Sequence, residues 1–261
     1  MRVSNNAKSV LCELAANIKV NSEIFILHFN WDGPPALAGQ FFMIKPERAS
    51  VFLMRPIGIF EYVSSQNLIK FLIAIKGAGT QELSLLQPGE KARLTGPLGN
   101  AWADFLPENG KAALVGGSAG VAPLAALAAE KPDYNFHFYA GFRNGFDKKD
   151  EENAVLGCAL NAKKLVISAE DGKNALNGRI VDFINEQENY DVIFTCGSAQ
   201  MLKAVKERFV PKKIPCYVSM ESRMACGTGA CLGCTIQTIK GGRRCCADGP
   251  IFPAGDIIFN E

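Results

Sequence analysis

The sequence predicts a multi-domain β and α/β protein. We expect an N-terminal antiparallel β-barrel over 1–103, a central Rossmann-like parallel sheet with helices over 104–215, and a small C-terminal loop domain over 216–261. Three observations carry this prediction. Short segments rich in β-branched and aromatic residues come first. Strand and helix signals then alternate, and cysteines crowd the last part of the chain.

Strand signals in the first part are separated by turn residues such as Asp32-Gly33-Pro34-Pro35. The expected strands are Val10–Leu14, Glu23–Phe29, Gln40–Ile44, Phe52–Val63, Leu68–Ile75 and Lys91–Thr95. One helix, Gln81–Leu86, interrupts them after Thr80 as its N-cap. Short strands at this spacing predict an antiparallel barrel.

The second part alternates between strand and helix signals, which predicts a mainly parallel sheet covered by helices. The expected strands are Ala112–Val115, Phe136–Ala140, Lys164–Ser168 and Val192–Thr195. The expected helices are Pro123–Glu130, Ile180–Asn185 and Gln200–Phe209. Ligands of such sheets bind at the carboxyl ends of the strands.

Composition excludes several classes of protein. The chain has 261 residues, of which 48% are hydrophobic and 21% charged, and its formal net charge is +2. This balance gives no reason to expect nucleic acid or an anionic membrane as partner. The uncharged run 112–129 contains glycines and Pro123, so a strand, a turn and a helix explain it better than a membrane span. Met1–Ser9 lacks the apolar core of a signal peptide, and nine cysteines then predict a cytoplasmic location.

The most specific motif is a group of cysteines with the spacing C-x4-C-x2-C, followed by a fourth cysteine after ten or eleven residues. Its members are Cys226, Cys231, Cys234 and either Cys245 or Cys246. Four thiolates are the ligands of a [2Fe–2S] cluster, and this is the spacing of plant-type ferredoxins. Gly227, Gly229 and Gly233 suit a loop that must turn sharply around a cluster.

Zinc is the main alternative metal. Structural zinc sites pair their ligands in C-x2–4-C knuckles, and Cys231 with Cys234 forms one such knuckle. A second knuckle is missing because Cys245 and Cys246 are adjacent. A zinc-stabilised binding protein is therefore the alternative outside enzymes. An odd number of cysteines without a secretion signal disfavours a disulfide framework.

Two segments of the barrel indicate a dinucleotide site. The first is Arg55, Pro56, Ile57 and Gly58, where arginine offers a fork for phosphate and small residues allow a flat ring to approach. The second is 76–80, where glycines and Thr80 begin a helix that suits an anion. Together they suit FAD, although a surface arginine and a simple turn are the alternative interpretation.

Two segments of the α/β part indicate a nicotinamide coenzyme. Gly116-Gly117-Ser118-Ala119-Gly120 joins a strand to a helix, as in pyrophosphate sites. Cys196-Gly197 ends a strand at the same edge, although a buried structural cysteine is as good an interpretation. The glycine segment also matches the G-x-S-x-G of α/β-hydrolases, but Asp133 and His137 follow too closely to complete a triad. No catalytic acid, base or nucleophile is predicted.

These segments, taken together, resemble the electron-transfer subunit of class 1B, NAD-dependent dihydroorotate dehydrogenase, within the ferredoxin–NADP reductase superfamily. The most specific part is Met220–Cys226 through Cys234, with Asp248-Gly249-Pro250-Ile251-Phe252 after the last cysteine. In that family the last ligand stands two residues before Asp-Gly-Pro, which implies Cys246 rather than Cys245.

The resemblance also implies roles for further residues. FAD would be contacted by Arg55, Pro56, Ile57, Gly58, Leu72, Ile73, Ala74, Gly79 and Thr80. NADH would be bound by Gly116, Gly117, Gly120, Pro123, Cys196 and Gly197. The family usually has Ser in place of Gly58 and Lys or Arg in place of Ala74, so weaker FAD contacts are expected here.

The implied activity is electron transfer in pyrimidine biosynthesis. Electrons from dihydroorotate would pass from FMN in a catalytic partner subunit through [2Fe–2S] and FAD to NAD⁺, in a heterotetramer of two of each subunit. The protein would supply placement and electrostatics rather than acid–base chemistry. The alternative within redox enzymes is an NAD(P)H:acceptor oxidoreductase subunit for ferredoxin, sulfide or sulfite.

Overall fold

Two seven-stranded sheets and a two-stranded hairpin sheet form the fold of residues 6–48 and 50–259, which the computed structural model describes. The first five residues of Met1–Ser9 lie outside this range. The strands are β1 (Lys8–Lys19), β2 (Ile24–Asn30), β3 (Phe41–Pro46), β4 (Arg55–Gly58), β5 (Glu61–Val63), β6 (Leu68–Ala74), β7 (Lys91–Leu98), β8 (Lys111–Gly117), β9 (Asn135–Phe142), β10 (Lys164–Ala169), β11 (Leu176–Asn177), β12 (Val192–Cys196), β13 (Cys216–Ser219), β14 (Thr235–Thr238), β15 (Gly241–Arg244) and β16 (Ile251–Pro253). The α-helices are α1 (Ala78–Ser84), α2 (Val121–Glu130), α3 (Lys149–Leu156), α4 (Ala199–Phe209) and α5 (Cys245–Asp248).

The first sheet is antiparallel throughout, in the order β4-β3-β7-β1-β2-β6-β5. Its buried face is closed by aromatic rings in edge-to-face contact. The Phe42 ring lies 4.9 Å from Trp31 and 5.5 Å from Phe71, measured between centroids. Asn17 on β1 donates from Nδ2 to the carbonyls of Ser84 and Leu86, which ties the end of α1 to the sheet.

The second sheet has the order β11-β10-β9-β8-β12-β13-β16 and is parallel except for β16, which runs antiparallel to β13. Alternate residues of β8 face opposite sides. Leu114 packs with the buried helix α2, whereas Val115 packs on the other face with residues of α4. Helices therefore cover both faces, as parallel sheets require. None of the helices in the described ranges is long and apolar enough to cross a membrane.

The predicted fold class is confirmed, and several element boundaries differ. The expected strand Phe52–Val63 is two strands, β4 and β5, which are separated by Ile59 and Phe60. The expected helix Ile180–Asn185 is a short 3-10 turn over Ile180–Phe183, and α3 was not predicted.

The second sheet continues beyond residue 215. Strands β13 and β16 join it on either side of the cysteine segment, so the cysteines lie in an excursion between two strands of one sheet. Pairing between distant strands leaves no local signal in the sequence. The division into 1–103, 104–215 and 216–261 stays a prediction.

The aromatic contacts of the first sheet lead to a stability prediction. We expect Phe42→Ala, which removes a side chain of 0% exposure, to lower the free energy of unfolding by about 3–5 kcal/mol. Phe52→Ala is the matched control because Phe52 is 89% exposed, and its effect should stay within about 0.5 kcal/mol. Urea unfolding followed by tryptophan fluorescence measures both. Equal effects of the two substitutions would contradict the packing described here.

Candidate functional site

A cleft of about 890 Å³ separates the first sheet from the carboxyl edge of the second. The first sheet contributes segments 21–24 and 74–76 to its walls, and the second contributes the loops that follow β8, β9 and β12. The carboxyl edge of a parallel sheet is the usual ligand-binding edge. The cleft therefore lies where a dinucleotide is expected.

Close backbone contacts explain the glycines of the loop after β8. A Cβ on Gly120 would lie 2.2 Å from the carbonyl oxygen of Cys196, and one on Gly116 would lie 2.9 Å from Cα of Val121. Met201 of α4 covers this point from the other side, since a Cβ on Gly117 would lie 2.8 Å from its Sδ. Only glycine allows the ends of β8 and β12 to approach α2 this closely.

Cys196 and Gly197 end β12 at the same edge, but they differ in exposure. Gly197 lines the cleft, whereas the Cys196 side chain is buried and only 5% exposed. Burial, with a smaller effect of the nearby Glu221 charge, raises the pKa of the Cys196 thiol to about 12. The thiol therefore stays neutral at physiological pH.

Strand β4 carries the predicted phosphate-binding arginine. Arg55 Nη1 donates to the carbonyl oxygen of Leu53 at 3.0 Å, and a Cβ on Gly79 would lie 1.9 Å from Arg55 Nε. The structure thus brings Arg55 and the start of α1 together. Thr80 Oγ1 accepts the N–H groups of Lys76 at 2.9 Å and Gly77 at 3.2 Å, so these two amides are engaged within the turn.

The other expected FAD residues lie on both sides of this region. Gly58 faces α2, because a Cβ there would lie 3.8 Å from Cβ of Pro123. The side chains of Leu72 and Ile73 in β6 are buried in apolar clusters on opposite faces of the sheet. Only the backbone of these two residues is therefore available to a ligand. Ala74 is half-buried and lines the cleft.

The cysteine loop arranges its thiols in two pairs. Sγ of Cys234 lies 3.2 Å from Sγ of Cys246. Sγ of Cys226 accepts the N–H groups of Thr228 at 3.4 Å and Cys231 at 3.5 Å, and the Cys231 side chain lies within hydrogen-bonding reach of it.

The adjacent Cys245 has a different environment. Its Sγ donates to the Met220 carbonyl at 2.8 Å, and the side chain is fully buried. Successive residues of the short helix α5 point in different directions, which explains why only one of the two neighbouring thiols meets Cys234. The geometry favours Cys246 as the fourth ligand.

The donor set fits a two-iron cluster better than a single ion. In the described ranges, no group of three or more histidine, cysteine or acidic side chains surrounds one ion position. A tetrahedral zinc site needs four ligands around one ion, whereas each iron of a [2Fe–2S] cluster takes two protein thiolates. Two pairs of thiols match the second requirement.

Ionisation of Cys226 suits metal binding. Burial opposes it, but the N–H groups of Cys231 and Thr228 outweigh burial and lower the pKa of Cys226 to about 6. Burial and the neighbouring Cys234 thiol raise the pKa of Cys246 to about 12. Since the thiolate is the metal ligand, Cys226 is available without further change, and Cys246 must lose its proton when a metal binds.

Two of the three glycines in the cysteine loop have the left-handed backbone conformation expected for a sharp turn. Gly227 has φ of 71° and Gly229 has φ of 86°, but Gly233 is not among the residues with positive φ. Leu232 instead has φ of 59°, and its side chain is 62% exposed. A Cβ at Gly233 would lie 3.6 Å from Sγ of Cys231, an ordinary contact distance, so neither φ nor a steric contact requires glycine at this position.

An ion pair that the sequence did not indicate braces the loop. Arg244 donates to Asp248 through Nε at 3.0 Å and Nη2 at 2.9 Å, in a two-point contact. Its Nη1 also reaches the Gly229 carbonyl at 3.5 Å. Arg244 therefore joins β15, α5 and the cysteine loop around the thiols.

The cysteine loop packs on the outer face of the first sheet. Met43 and Leu98 form one buried cluster with Cys234 and Cys246. A Cβ on Gly227 would lie 2.7 Å from Cγ of Met43. Strand β3 therefore contacts the cysteines directly, and its neighbour β4 is the predicted FAD strand.

The hydrolase alternative fails on geometry. Ser118 lies at the carboxyl end of β8 and lines the cleft, but no histidine is among the described residues of that lining. His137 pairs with Ala113 near the other end of the strand, and its Nδ1 lies 3.1 Å from the Tyr190 hydroxyl.

Fold and site together define an iron–sulfur flavoprotein that exchanges electrons with a nicotinamide coenzyme. Comparison with known proteins agrees. Residues 221–258 match the iron–sulfur cluster binding domain of dihydroorotate dehydrogenase B. The chain is 37% identical over 245 residues to the electron transfer subunit of dihydroorotate dehydrogenase B (NAD(+)) from Clostridium acetobutylicum, covering 94% of this chain and 95% of that protein. The corresponding subunit from Clostridium perfringens is 38% identical, with 85% and 87% covered.

The chain therefore belongs to the family of electron transfer subunits of NAD-dependent dihydroorotate dehydrogenase B. Its fold is also that of an NADH-dependent reduced ferredoxin–NADP oxidoreductase solved in a study of flavin-based electron bifurcation. The TM-score is 0.81 at 22% identity, with 95% of this chain and 90% of the other covered. Family membership confirms the predicted oxidoreductase subunit with FAD, an iron–sulfur cluster and NAD, which works with a catalytic subunit.

Steric contacts at two glycines give a prediction for the cleft. We expect Gly120→Ala to lower the free energy of unfolding by at least about 2 kcal/mol, because its Cβ would meet the Cys196 backbone. Gly58→Ala should change it by less than about 1 kcal/mol, because its Cβ meets only Pro123 at ordinary contact distance. Urea unfolding of the two variants checks both. Tolerance of Ala at residue 120 would contradict the close approach of the loop after β8 to the end of β12.

Proposed function

We propose that this chain passes electrons between NAD and the FMN of a dihydroorotate-oxidising catalytic subunit, in an assembly of two of each subunit. The observation that carries the proposal is the contact of the cysteine loop with β3. Phe41 and Met43 face the loop on the outer side of that strand, and directly opposite them on β4 stand Gly58 and Pro56. Residues directly opposite in a sheet share a face, so the cluster and a flavin on β4 would be neighbours.

Residues of the first sheet would hold FAD. The Arg55 guanidinium beside Gly79 suits a phosphate group, and the small residues Gly58 and Ala74 would leave room for a flat ring. When bound, FAD would take part in hydride transfer with the nicotinamide and in single-electron transfer with the cluster, which carries one electron at a time. The residues around them bind and orient these groups and exclude water.

The cleft at the carboxyl edge of the second sheet would hold NAD. The loop of Gly116, Gly117 and Gly120 offers backbone at the place where pyrophosphate binds in such folds. Pro123 lies in the first turn of α2 beside Gly58, so the nicotinamide and the flavin would come together where the two sheets meet. A neutral Cys196 thiol below this point adds no charge that would oppose hydride transfer.

An activity assay tests the proposal. When the chain is co-expressed with an FMN-containing dihydroorotate-oxidising subunit, we expect dihydroorotate to reduce NAD⁺, measured by NADH absorbance. The isolated chain should show flavin and iron–sulfur bands but no dihydroorotate oxidation. A stable complex in which dihydroorotate never reduces NAD⁺ would exclude the orotate reaction and favour an NAD(P)H:acceptor reductase. A colourless chain containing zinc would exclude all electron transfer.

Neighbouring cysteines give a sharp test of the ligand set Cys226, Cys231, Cys234 and Cys246. We expect Cys246→Ser to lose the cluster, whereas Cys245→Ser keeps about two irons per chain. Iron and sulfide analysis with visible absorption measures the difference. Because both thiols are buried and adjacent, the Cys245 variant controls for the loss of a buried sulfur. Loss of iron in Cys245→Ser with retention in Cys246→Ser would reverse the assignment.

We propose a cytoplasmic location, because a chain with nine cysteines suits a reducing compartment.

A further inference from the structure

The far end of the cleft is a bay built from two loops that follow neighbouring strands. One loop, 143–147, follows β9 and the other, 170–173, follows β10. In this type of fold the pyrophosphate binds at the first glycine turn, and the residues about 20 positions further on meet the ribose 2′ position. Here the loop after β9 stands at that distance from the glycine loop.

Hydrogen bonds hold the two loops against each other. The amides of Glu170 and Asp171 donate to the carbonyls of Phe142 and Arg143 at 3.1 and 3.3 Å. Asp171 Oδ1 in turn accepts the N–H groups of Gly145 and Lys173, both at 3.0 Å. These backbone contacts lower the pKa of Asp171, which keeps it ionised. These hydrogen bonds therefore fix the two loops, and so the shape of the bay, at the edge of the sheet.

Two basic side chains of the bay are already engaged by carboxylates. Lys173 Nζ contacts Asp147 Oδ1, and Arg179 Nε lies 3.4 Å from Asp182 Oδ2. Hydrogen bonding to Asp147 raises the pKa of Lys173, which keeps the amine of Lys173 charged at neutral pH.

What remains after these pairings is a surface on which three carboxylates outnumber one arginine. Among the described residues that line the bay, Arg143 has no carboxylate within ion-pair distance. Glu151, Glu170 and Asp171 also line the bay and form no direct ion pair, although Glu151 and Asp171 add to the negative charge around Lys173. A ribose 2′-hydroxyl donates to carboxylates, whereas a 2′-phosphate carries two negative charges and is repelled by them.

We propose that this bay selects a coenzyme without a 2′-phosphate, and that Asp147 determines the selectivity by holding Lys173. The inference rests on the proposed function of the cleft and adds the residues that separate NAD from NADP. Asp147 acts as a positioning residue, because it neutralises the one lysine whose amine would otherwise face a 2′-phosphate. Specificity for NAD then comes from repulsion of the 2′-phosphate by the carboxylates as much as from attraction of the ribose hydroxyl.

Binding of two small probes to the full chain, loaded with FAD and cluster, tests this proposal. Titration calorimetry with 5′-AMP and with 2′,5′-ADP gives the ratio of their dissociation constants. We expect the wild-type chain to prefer 5′-AMP. Asp147→Asn should shift the ratio about 5- to 10-fold towards 2′,5′-ADP, because the freed Lys173 forms a charge-assisted contact with the 2′-phosphate. The ratio of kcat/KM for NADH and NADPH should move the same way.

Two further variants make the result specific. Asp133→Asn removes the same charge from an exposed residue just before β9, at the opposite edge of the sheet, and should leave the ratio unchanged. Lys173→Met added to Asp147→Asn should abolish the gain. An unchanged ratio in Asp147→Asn, or an equal shift in Asp133→Asn, overturns the proposal while the function stands. Failure of the wild-type chain to bind 5′-AMP or NAD⁺ overturns both.

Discussion

The contact between the cysteine loop and the outer face of β3 is the constraint on which the rest of the site depends. The loop leaves the second sheet after β13 and returns to it at β16, so both of its ends are fixed to that sheet. Its middle is fixed to the first sheet by Met43 and Leu98. A segment held at three points cannot shift without disturbing both sheets, and one-electron transfer requires such fixed placement of carriers.

Alternation along β3 allows one strand to serve two environments. Phe42 and Ile44 point into the apolar core of the first sheet, whereas Phe41 and Met43 point to the cysteines. The core side chains set the position of the strand, and the outer side chains transmit that position to the loop. The same strand pairs with β4, so the core that stabilises the first sheet also sets the spacing between the cysteine loop and Arg55–Gly58.

The sequence predicts those features of the fold and the site that depend on the spacing of residues close together in the chain. The cysteine spacing, the glycine loop after β8 and the alternation of strands and helices are local patterns, and they indicated the fold class and the kind of cofactors. It does not predict pairing between distant strands, so the entry of β13 and β16 into the second sheet was missed. Nor does spacing distinguish Cys245 from Cys246, because the choice depends on how α5 is oriented relative to Cys234.

Charge placement in the cleft follows from three-dimensional contacts that sequence spacing does not reveal. Asp147 and Lys173 belong to different loops and meet only because β9 and β10 are neighbours in the sheet. Counting charges in the sequence would leave Lys173 available to a phosphate, whereas in the structure its amine is paired with Asp147. If the glycine loop holds the pyrophosphate, the loops after β9 and β10 would meet the ribose. Different loops at the edge of the second sheet would then bind the pyrophosphate, which NAD and NADP share, and the ribose, at which they differ.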